Sequence, residues 1–263
     1  MTFVSVVLPV YNESEEIAES LRHVSSYLAS EFPDHEIIAV DDGSTDGSAD
    51  VLERLTASIP HLKVVRYTPN EGKGMAVRRG AEAASGEWLA VVDSDLELPI
   101  EMLHEFFEVQ RKTHSHVVVG SKYHPDSVVR YPKVRRRLSR GYGFGIRWLF
   151  ALPVSDTQVG FKLFDRRSVA AVAPCLVVNR FAFDVELLVL LRDLGVKFGE
   201  APVTLTFSKV GLGRMKLRTI LNMAAETIGI FLRLYVTGYY ARAVSRPAAG
   251  VPLSPPVPPS VDA

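Results

Sequence analysis

Cysteine is nearly absent. Cys175 stands alone in 263 residues, so no intramolecular disulfide can form, and a reducing compartment is expected. Charge of one sign is also missing, because 30 basic and 30 acidic residues cancel. A general nucleic-acid binder carries a basic surplus, so that class is excluded and any basic patch must be local. Residues 1–9 lack a charged n-region and a cleavage site, and they read as a first strand instead of a signal peptide. Between 215 and 241 the apolar sequence is interrupted by Arg218, Glu226 and Arg233. No run of about 20 apolar residues long enough to span a bilayer remains. No GxGxxG follows the first strand, which leaves a dinucleotide-binding oxidoreductase unsupported. The turn Asn70-Glu71-Gly72-Lys73-Gly74 lacks the spacing and the Ser/Thr of a Walker loop.

What is present is 47% hydrophobic residues, enough for one large α/β domain with a small appendage. Strands are expected at 3–8, 36–40, 62–67, 88–92 and 116–120, the first stopped by Pro9. Helices between them show apolar faces such as Ile17, Leu21, Val24 and Leu28. Asn12 or Ser14 is a suitable cap for the first, and Ser44, Thr45 or Asp46 for the second. This alternation with short connections predicts a mostly parallel sheet wound by helices. Such a sheet places ligands at the carboxyl ends of its strands. There the sequence puts Asp41 and Asp42, the Gly72–Lys73–Gly74 turn, and Asp93-Ser94-Asp95. Carboxylates at i and i+2 of an extended chain point the same way, so Asp93 and Asp95 can converge on one hard cation. Taken alone, the pair reads equally well as a solvated acidic turn. A phosphatase of the haloacid-dehalogenase type also carries a strand-end Asp-x-Asp, though usually on its first strand, and it leaves Asp41 and Asp42 unexplained.

After residue 120 the alternation breaks down. Lys122, Arg130, Lys133, Arg135, Arg136, Arg137 and Arg140 form either a solvated helix face or a site for phosphate or an anionic headgroup. Gly141-Tyr142-Gly143-Phe144-Gly145 then begins either a mobile aromatic element or a Gly-softened core helix. Asp156 lies in a polar loop among many bases, and Asp184 and Glu186 fall where they need only decorate the first turn of a helix. Three units are expected: a catalytic domain over 1–208, an amphipathic helical segment over 209–244, and a Pro-rich disordered tail over 245–263. The helical segment has Lys209, Arg214, Lys216 and Arg218 at its start and Tyr235, Tyr239 and Tyr240 at its end. That distribution favours a membrane-interfacial position over a span, and a dimerisation helix is the competing reading.

The motifs Val7-Leu8-Pro9-Val10-Tyr11-Asn12-Glu13, Val40-Asp41-Asp42-Gly43-Ser44-Thr45-Asp46-Gly47, Asn70-Glu71-Gly72-Lys73-Gly74 and Asp93-Ser94-Asp95 resemble those of family-2 glycosyltransferases. The resemblance implies a GT-A fold, a Rossmann-like, mostly parallel sheet flanked by helices. In the second half, Gly120-Ser121-Lys122, the arginine run to Ser139-Arg140, Asp156-Thr157-Gln158-Val159-Gly160-Phe161-Lys162 and Phe183-Asp184-Val185-Glu186 resemble polyprenyl-phosphate sugar synthases. The Asp156–Lys162 wording looks most like dolichyl-phosphate glucosyltransferases. By that resemblance Pro9, Tyr11, Asn12, Glu13, Asp41, Asp42, Gly72, Lys73, Asp93 and Ser94 hold the donor nucleotide. Asp93 and Asp95, with Glu97 as a third carboxylate, hold Mg²⁺ or Mn²⁺. Lys122, Arg135 and Ser139 hold the acceptor phosphate, and Asp95 and Asp156 are the catalytic candidates, Asp156 as an orienting or acceptor-side residue. Two positions depart from the family: Lys122 often is arginine, and Glu97 often is glutamine.

The reaction implied is inverting transfer of glucose from UDP-glucose to a polyprenyl or dolichyl phosphate at the cytoplasmic face of a membrane. The alternatives are a mannose synthase using GDP-mannose and the same fold with a soluble acceptor. The partners expected are the nucleotide sugar, the lipid phosphate and the membrane surface, with a homodimer or a membrane-protein partner also compatible and no nucleic acid.

Overall fold

The computed structural model describes residues 3–130, 133–206 and 217–244, with the side chains at 130, 133–140, 142, 206, 217–221 and 242–244 outside it. The first half alternates strand and helix as the sequence predicts. Strands β1 (Val4–Val10), β2 (His35–Asp42), β3 (Leu62–Tyr67) and β4 (Trp88–Val92) are separated by α1 (Ile17–Glu31), α2 (Ser48–Leu55) and α3 (Lys73–Ala83). Then come α4 (Met102–Thr113), β5 (Val117–Ser121), β6 (Val128–Arg130), α5 (Lys133–Phe150), β7 (Phe161–Asp165), α6 (Arg166–Val172), α7 (Phe183–Asp193), β8 (Phe198–Pro202) and β9 (Thr204–Thr206). One sheet has seven strands in the order β3-β2-β1-β4-β7-β5-β8, and β6 pairs with β9 in a small second sheet. Only β7 runs antiparallel to its neighbours in the large sheet, β4 and β5.

Both faces of the sheet are covered, which explains why its strands read as near-continuous apolar runs. Alternate residues feed two cores. Val6, Leu8, Ile37 and Ala39 pack with α1, α2 and α4, while Val7, Ile38 and Val40 pack with α3, α6 and α7. The strand order reverses direction at β1, with β2 on one side and β4 on the other. A crevice at the carboxyl ends of these strands is where open α/β sheets bind ligands.

Several boundaries differ from the sequence expectation, each for a local reason. β1 runs through Pro9 to Val10, past the expected stop. The pairing with β4 ends at Val7, so the missing Pro9 N–H takes no bond out of that ladder. The Pro9 carbonyl accepts a hydrogen bond from Ser94 Oγ at 2.8 Å instead. Asn12 and Ser14 do not cap α1, whose N-cap is Glu16 without a side-chain bond. Both are tied to the loop after β2: Asn12 Oδ1 accepts from Thr45 N at 2.8 Å, and Ser14 N donates to Asp46 Oδ2 at 3.0 Å. The glycines at 141, 143 and 145 lie inside the continuous helix α5, which leaves Phe144 and Trp148 exposed and buries Ile146 and Phe150.

The expected single helix over 215–241 is α8 (Leu217–Phe231), a π-helical turn over Leu232–Val236, and α9 (Tyr239–Val244), broken at Gly238 where φ is 60°. Among the described residues no helix is long and apolar enough to cross a membrane. The basic start of this segment at Lys209, Arg214 and Lys216 and the Pro-rich tail over 245–263 lie outside the described residues.

The amino end of the sheet is fastened by a buried carboxylate. Glu36 is 3% exposed and accepts from Ser5 Oγ at 2.6 Å, Ser85 N at 2.6 Å and Ser85 Oγ at 2.8 Å, with Lys63 Nζ at 2.5 Å. Burial alone would raise its pKa, but Lys63, Ser5 and Ser85 outweigh that and hold it down to about 2. A carboxyl with a lowered folded pKa contributes stability above its unfolded value, and the contribution fades as pH falls from about 4.5 to about 2. Glu36→Gln is therefore expected to cost about 2 kcal/mol at pH 7. Denaturant melts should show the two proteins converging below pH 4; a difference constant with pH would mean that the charge is not what stabilises.

Candidate active site

Four loops meet at the carboxyl ends of β1, β2 and β4, together with the turn that leads into β7. The loop after β2 is ordered by its own acids. Asp41 Oδ1 accepts from Ser44 N at 3.0 Å. Its other oxygen is buried without a hydrogen-bond partner and lies 3.6 Å from Arg66 Nε, a remaining acceptor at the strand end. Asp42 has both oxygens committed. Oδ1 accepts from Glu71 N at 2.8 Å and Gly72 N at 3.2 Å, and Oδ2 from Gly72 N at 2.9 Å and Asn70 Nδ2 at 2.8 Å. The sequence places Asp41 and Asp42 together as a ligand-holding pair; the geometry divides them, with Asp42 setting the 70–72 turn.

Gly72, the N-cap of α3, has φ of 107°, a conformation that side chains other than hydrogen rarely adopt. The turn it makes aims Lys73 into the crevice, where Lys73 Nζ donates to Asp93 Oδ1. Burial alone would lower the Lys73 pKa, but Asp93 and then Asp184 outweigh it and keep the ammonium charged. Asp93 is half-buried and Asp95 exposed, and Asp95 Oδ1 accepts from Glu97 N at 3.2 Å. Glu13 comes in from the β1 loop, its backbone N–H donating to Ser48 Oγ at 2.8 Å. Its carboxyl is pushed up to about 7, first by burial and then by the charges of Asp95 and Asp93, against a lowering contribution from Ser94. Asn12 N donates to Ser44 Oγ at 3.0 Å, which joins the β1 and β2 loops, and Tyr11 is exposed.

Negative charge thus collects at Asp93 and Asp95, which add to burial in holding the Glu13 carboxyl toward its neutral form, and the Lys73 ammonium already sits on Asp93 as an internal cation. Two carboxylates suit a hard divalent ion whose remaining ligands are phosphate oxygens and water. Glu97 does not complete a protein cage: among the described residues no group of three or more acidic, histidine or cysteine side chains is gathered for a metal. Its backbone N–H holds Asp95.

A second charged cluster lies where β5 ends and the chain leads into β7. Asp156 is 3% exposed, and its Oδ2 lies 3.2 Å from Lys122 Nζ and accepts from Lys122 N at 3.3 Å. Its Oδ1 accepts from Gln158 N at 3.1 Å. Asp156 is thus a partner that orients Lys122. The side chains of Arg135 and Ser139 lie outside the described residues, and only the backbone of α5 that carries them is given. Thr157 Oγ1 and Gln158 Nε2 are buried without hydrogen-bond partners, which leaves polar groups for a ligand.

Two residues are not singled out individually by the sequence, and a third is left open by it. Gly160 lies against the Asp93 carboxylate so closely that a Cβ would overlap it. Lys162, 3% exposed in the middle of the sheet, reaches Asp184 Oδ1 at 2.7 Å and the Val159 carbonyl at 2.5 Å. Glu186, which the sequence leaves open between decoration of a helix start and a site residue, is fully buried and bonded. Periodicity distinguishes none of them from core residues, since their partners come from distant strands and helices.

Comparisons with known proteins give the family and the fold. The model of glycosyl transferase family 2 matches residues 5–172. A dolichyl-phosphate beta-glucosyltransferase of Trichomonas vaginalis is 33% identical over 87% of this chain and 70% of its own length. The human dolichyl-phosphate beta-glucosyltransferase is 30% identical over 89% of this chain and 76% of its own. Among solved structures, Mycobacterium tuberculosis glucosyl-3-phosphoglycerate synthase in complex with Mn²⁺, UDP and its glucosylated product matches with a TM-score of 0.63 at 22% identity, over 88% of this chain and 79% of that one. That likeness bears on the fold, and a mostly parallel sheet with helices on both faces is what the two share. With the family model spanning the sheet from β1 to α6 and the acidic strand ends all inside it, the chain belongs to glycosyltransferase family 2.

Proposed function

We propose that the protein transfers glucose from UDP-glucose to a polyprenyl phosphate of the dolichyl type, with inversion, releasing UDP. The observation that carries this reading is the pairing of two charged sites along one crevice: Lys73 on Asp93 at the end of β4, and Lys122 on Asp156 at the end of β5. The first suits a diphosphate and the second a phosphate monoester. The dolichyl-phosphate beta-glucosyltransferases that resemble this chain over most of its length name the acceptor and the sugar.

The chemistry follows from the acceptor. A phosphate monoester is largely dianionic at neutral pH, its second pKa being about 6. Its oxygen attacks the anomeric carbon as the bond from that carbon to the UDP oxygen breaks, and no proton has to be removed. The protein's task is therefore positioning and charge. Lys122, held by Asp156, orients the attacking phosphate, with Arg135 and Ser139 of α5 as further partners. Asp41 offers its remaining oxygen to the nucleoside, and Lys73 and the N-terminus of α3 face the departing diphosphate. Asp93 and Asp95 would hold Mg²⁺ or Mn²⁺, which would neutralise charge on that diphosphate.

The enzyme works peripherally at the cytoplasmic leaflet. Phe144 and Trp148 of α5 are exposed, as are Leu232, Tyr235 and Val236 beyond α8. Tyr235 Oη donates to the Leu149 carbonyl at 3.4 Å, which brings the two apolar sets side by side. Aromatic residues beside a basic run suit a headgroup surface.

A screen of UDP-glucose, GDP-mannose, UDP-galactose and UDP-N-acetylglucosamine against a short polyprenyl phosphate tests the reading, with 3-phosphoglycerate as a soluble acceptor in parallel. Lipid-linked glucose is the expected product. Turnover only with GDP-mannose, or only with 3-phosphoglycerate, would overturn the assignment of sugar or acceptor.

A further inference from the structure

The irregular segment 176–182 lies between the donor loop and the C-terminal helices and touches both. On the donor side, the Asn179 carbonyl accepts from Met75 N at 3.1 Å, in the first turn of α3. A Cβ at Gly72 would come within 2.7 Å of that same carbonyl. Arg78 Nη1 of α3 donates to the Leu176 carbonyl at 3.2 Å. The start of α3, and with it Lys73, thus rests on this segment.

On its other side the segment is held by acids that the C-terminal helices supply or engage. Glu186 Oε2 accepts from Val177 N at 3.0 Å and Val178 N at 2.8 Å. Its Oε1 accepts from the hydroxyl of Tyr240 in α9 and lies 4.0 Å from Arg233 Nη1. Glu226 of α8 accepts from Ala182 N at 3.2 Å. Tyr240 is 2% exposed, so it is not one of the interfacial tyrosines that the sequence suggested. Burial and then the Glu186 carboxylate raise the pKa of its phenol, which therefore remains a donor. A cleft of about 510 Å³ opens between Glu71 of the donor loop, Arg180, and Gly229 and Arg233 of the C-terminal segment. Segment and loop have room to shift if these ties are cut.

We infer that Tyr240 and Glu226 are positioning residues for the nucleotide sugar: they fasten the C-terminal helices to segment 176–182, which sets the loop that carries Lys73. The C-terminal segment is then part of the donor site as well as a membrane-side element. The inference rests on the reading that Lys73 and Asp93 face the diphosphate of UDP.

Calorimetric titration of the full chain with UDP and Mn²⁺ tests it without needing transfer. Tyr240→Phe keeps the ring and removes one donor to a carboxylate, and UDP Kd is expected to rise about tenfold. Donor KM should follow, with acceptor KM and kcat within about twofold. Glu226→Gln is expected to shift Kd in the same direction by a smaller factor, and it decides the matter if Tyr240→Phe folds poorly. Tyr27→Phe, which removes a hydroxyl bonded to the Glu101 carbonyl on α1's side of the sheet, should leave UDP Kd unchanged. A lowered melting temperature with wild-type UDP Kd in the folded variants would overturn the inference. Absence of UDP binding in the wild-type chain would instead overturn the donor assignment on which it rests.

Discussion

Asp95→Ala is expected to lower transfer by at least about 10³-fold while leaving the chain folded. Asp95 is exposed past the end of β4, so its removal costs little stability. Its loss leaves Asp93 as the single carboxylate of the pair, already engaged by Lys73. The diphosphate leaving group is then stabilised by lysine alone, at the stage where charge develops. The measurements are initial rates across a Mn²⁺ titration, UDP binding with and without Mn²⁺, and a thermal melt. Loss of the Mn²⁺ effect on UDP binding together with a wild-type melt is the expected pattern. Full activity with intact Mn²⁺ dependence would remove Asp95 from the metal site.

Much of this site is legible in the sequence because the loops after β1, β2 and β4 follow directly on buried strands. An apolar run that ends in acids or glycine, as at Val40-Asp41-Asp42 or Val92-Asp93, locates a strand end and its chemistry together. What the strand ends do to one another is not legible. Asp41 and Asp42 look equivalent, yet alternate side chains on a strand point opposite ways. One keeps a vacant acceptor, and the other is committed to amides about thirty positions later. Asn12 and Ser14 look like helix caps because those residue types cap helices; here the nearer need is the amides and side chains of the β2 loop. In the C-terminal segment the fold departs from the sequence expectation for a similar reason. Tyr240 follows two other tyrosines at the end of an amphipathic pattern, and only the fold shows Glu186 waiting beneath it. Periodicity reports which face is apolar, and it is silent about which buried carboxylate lies under that face.

Gly160→Ala is the substitution whose effect most separates the fold from the sequence. β7 runs antiparallel to β4 with Phe161 opposite Val92, so the next pair outward sets Gly160 beside Asp93. A Cβ at 160 would occupy the space of the Asp93 carboxylate. The backbone cannot easily give way. β7 is bonded to strands on both sides, and its neighbours in sequence, Val159 and Phe161, are 3% and 0% exposed. The carboxylate is the flexible end of a side chain, so it is the group that rotates. That movement breaks the Lys73 contact and separates Asp93 from Asp95. Transfer should fall by more than about 10²-fold, since a misplacement of about 1 Å at a reacting centre costs that much. The melting temperature should drop by only a few degrees, as expected for about 1 kcal/mol. UDP binding without Mn²⁺ should change little, and the gain in affinity on adding Mn²⁺ should disappear. If Gly160→Ala keeps the Mn²⁺ gain, the carboxylate has another seat from which to hold the ion, and the contact with Gly160 is packing alone.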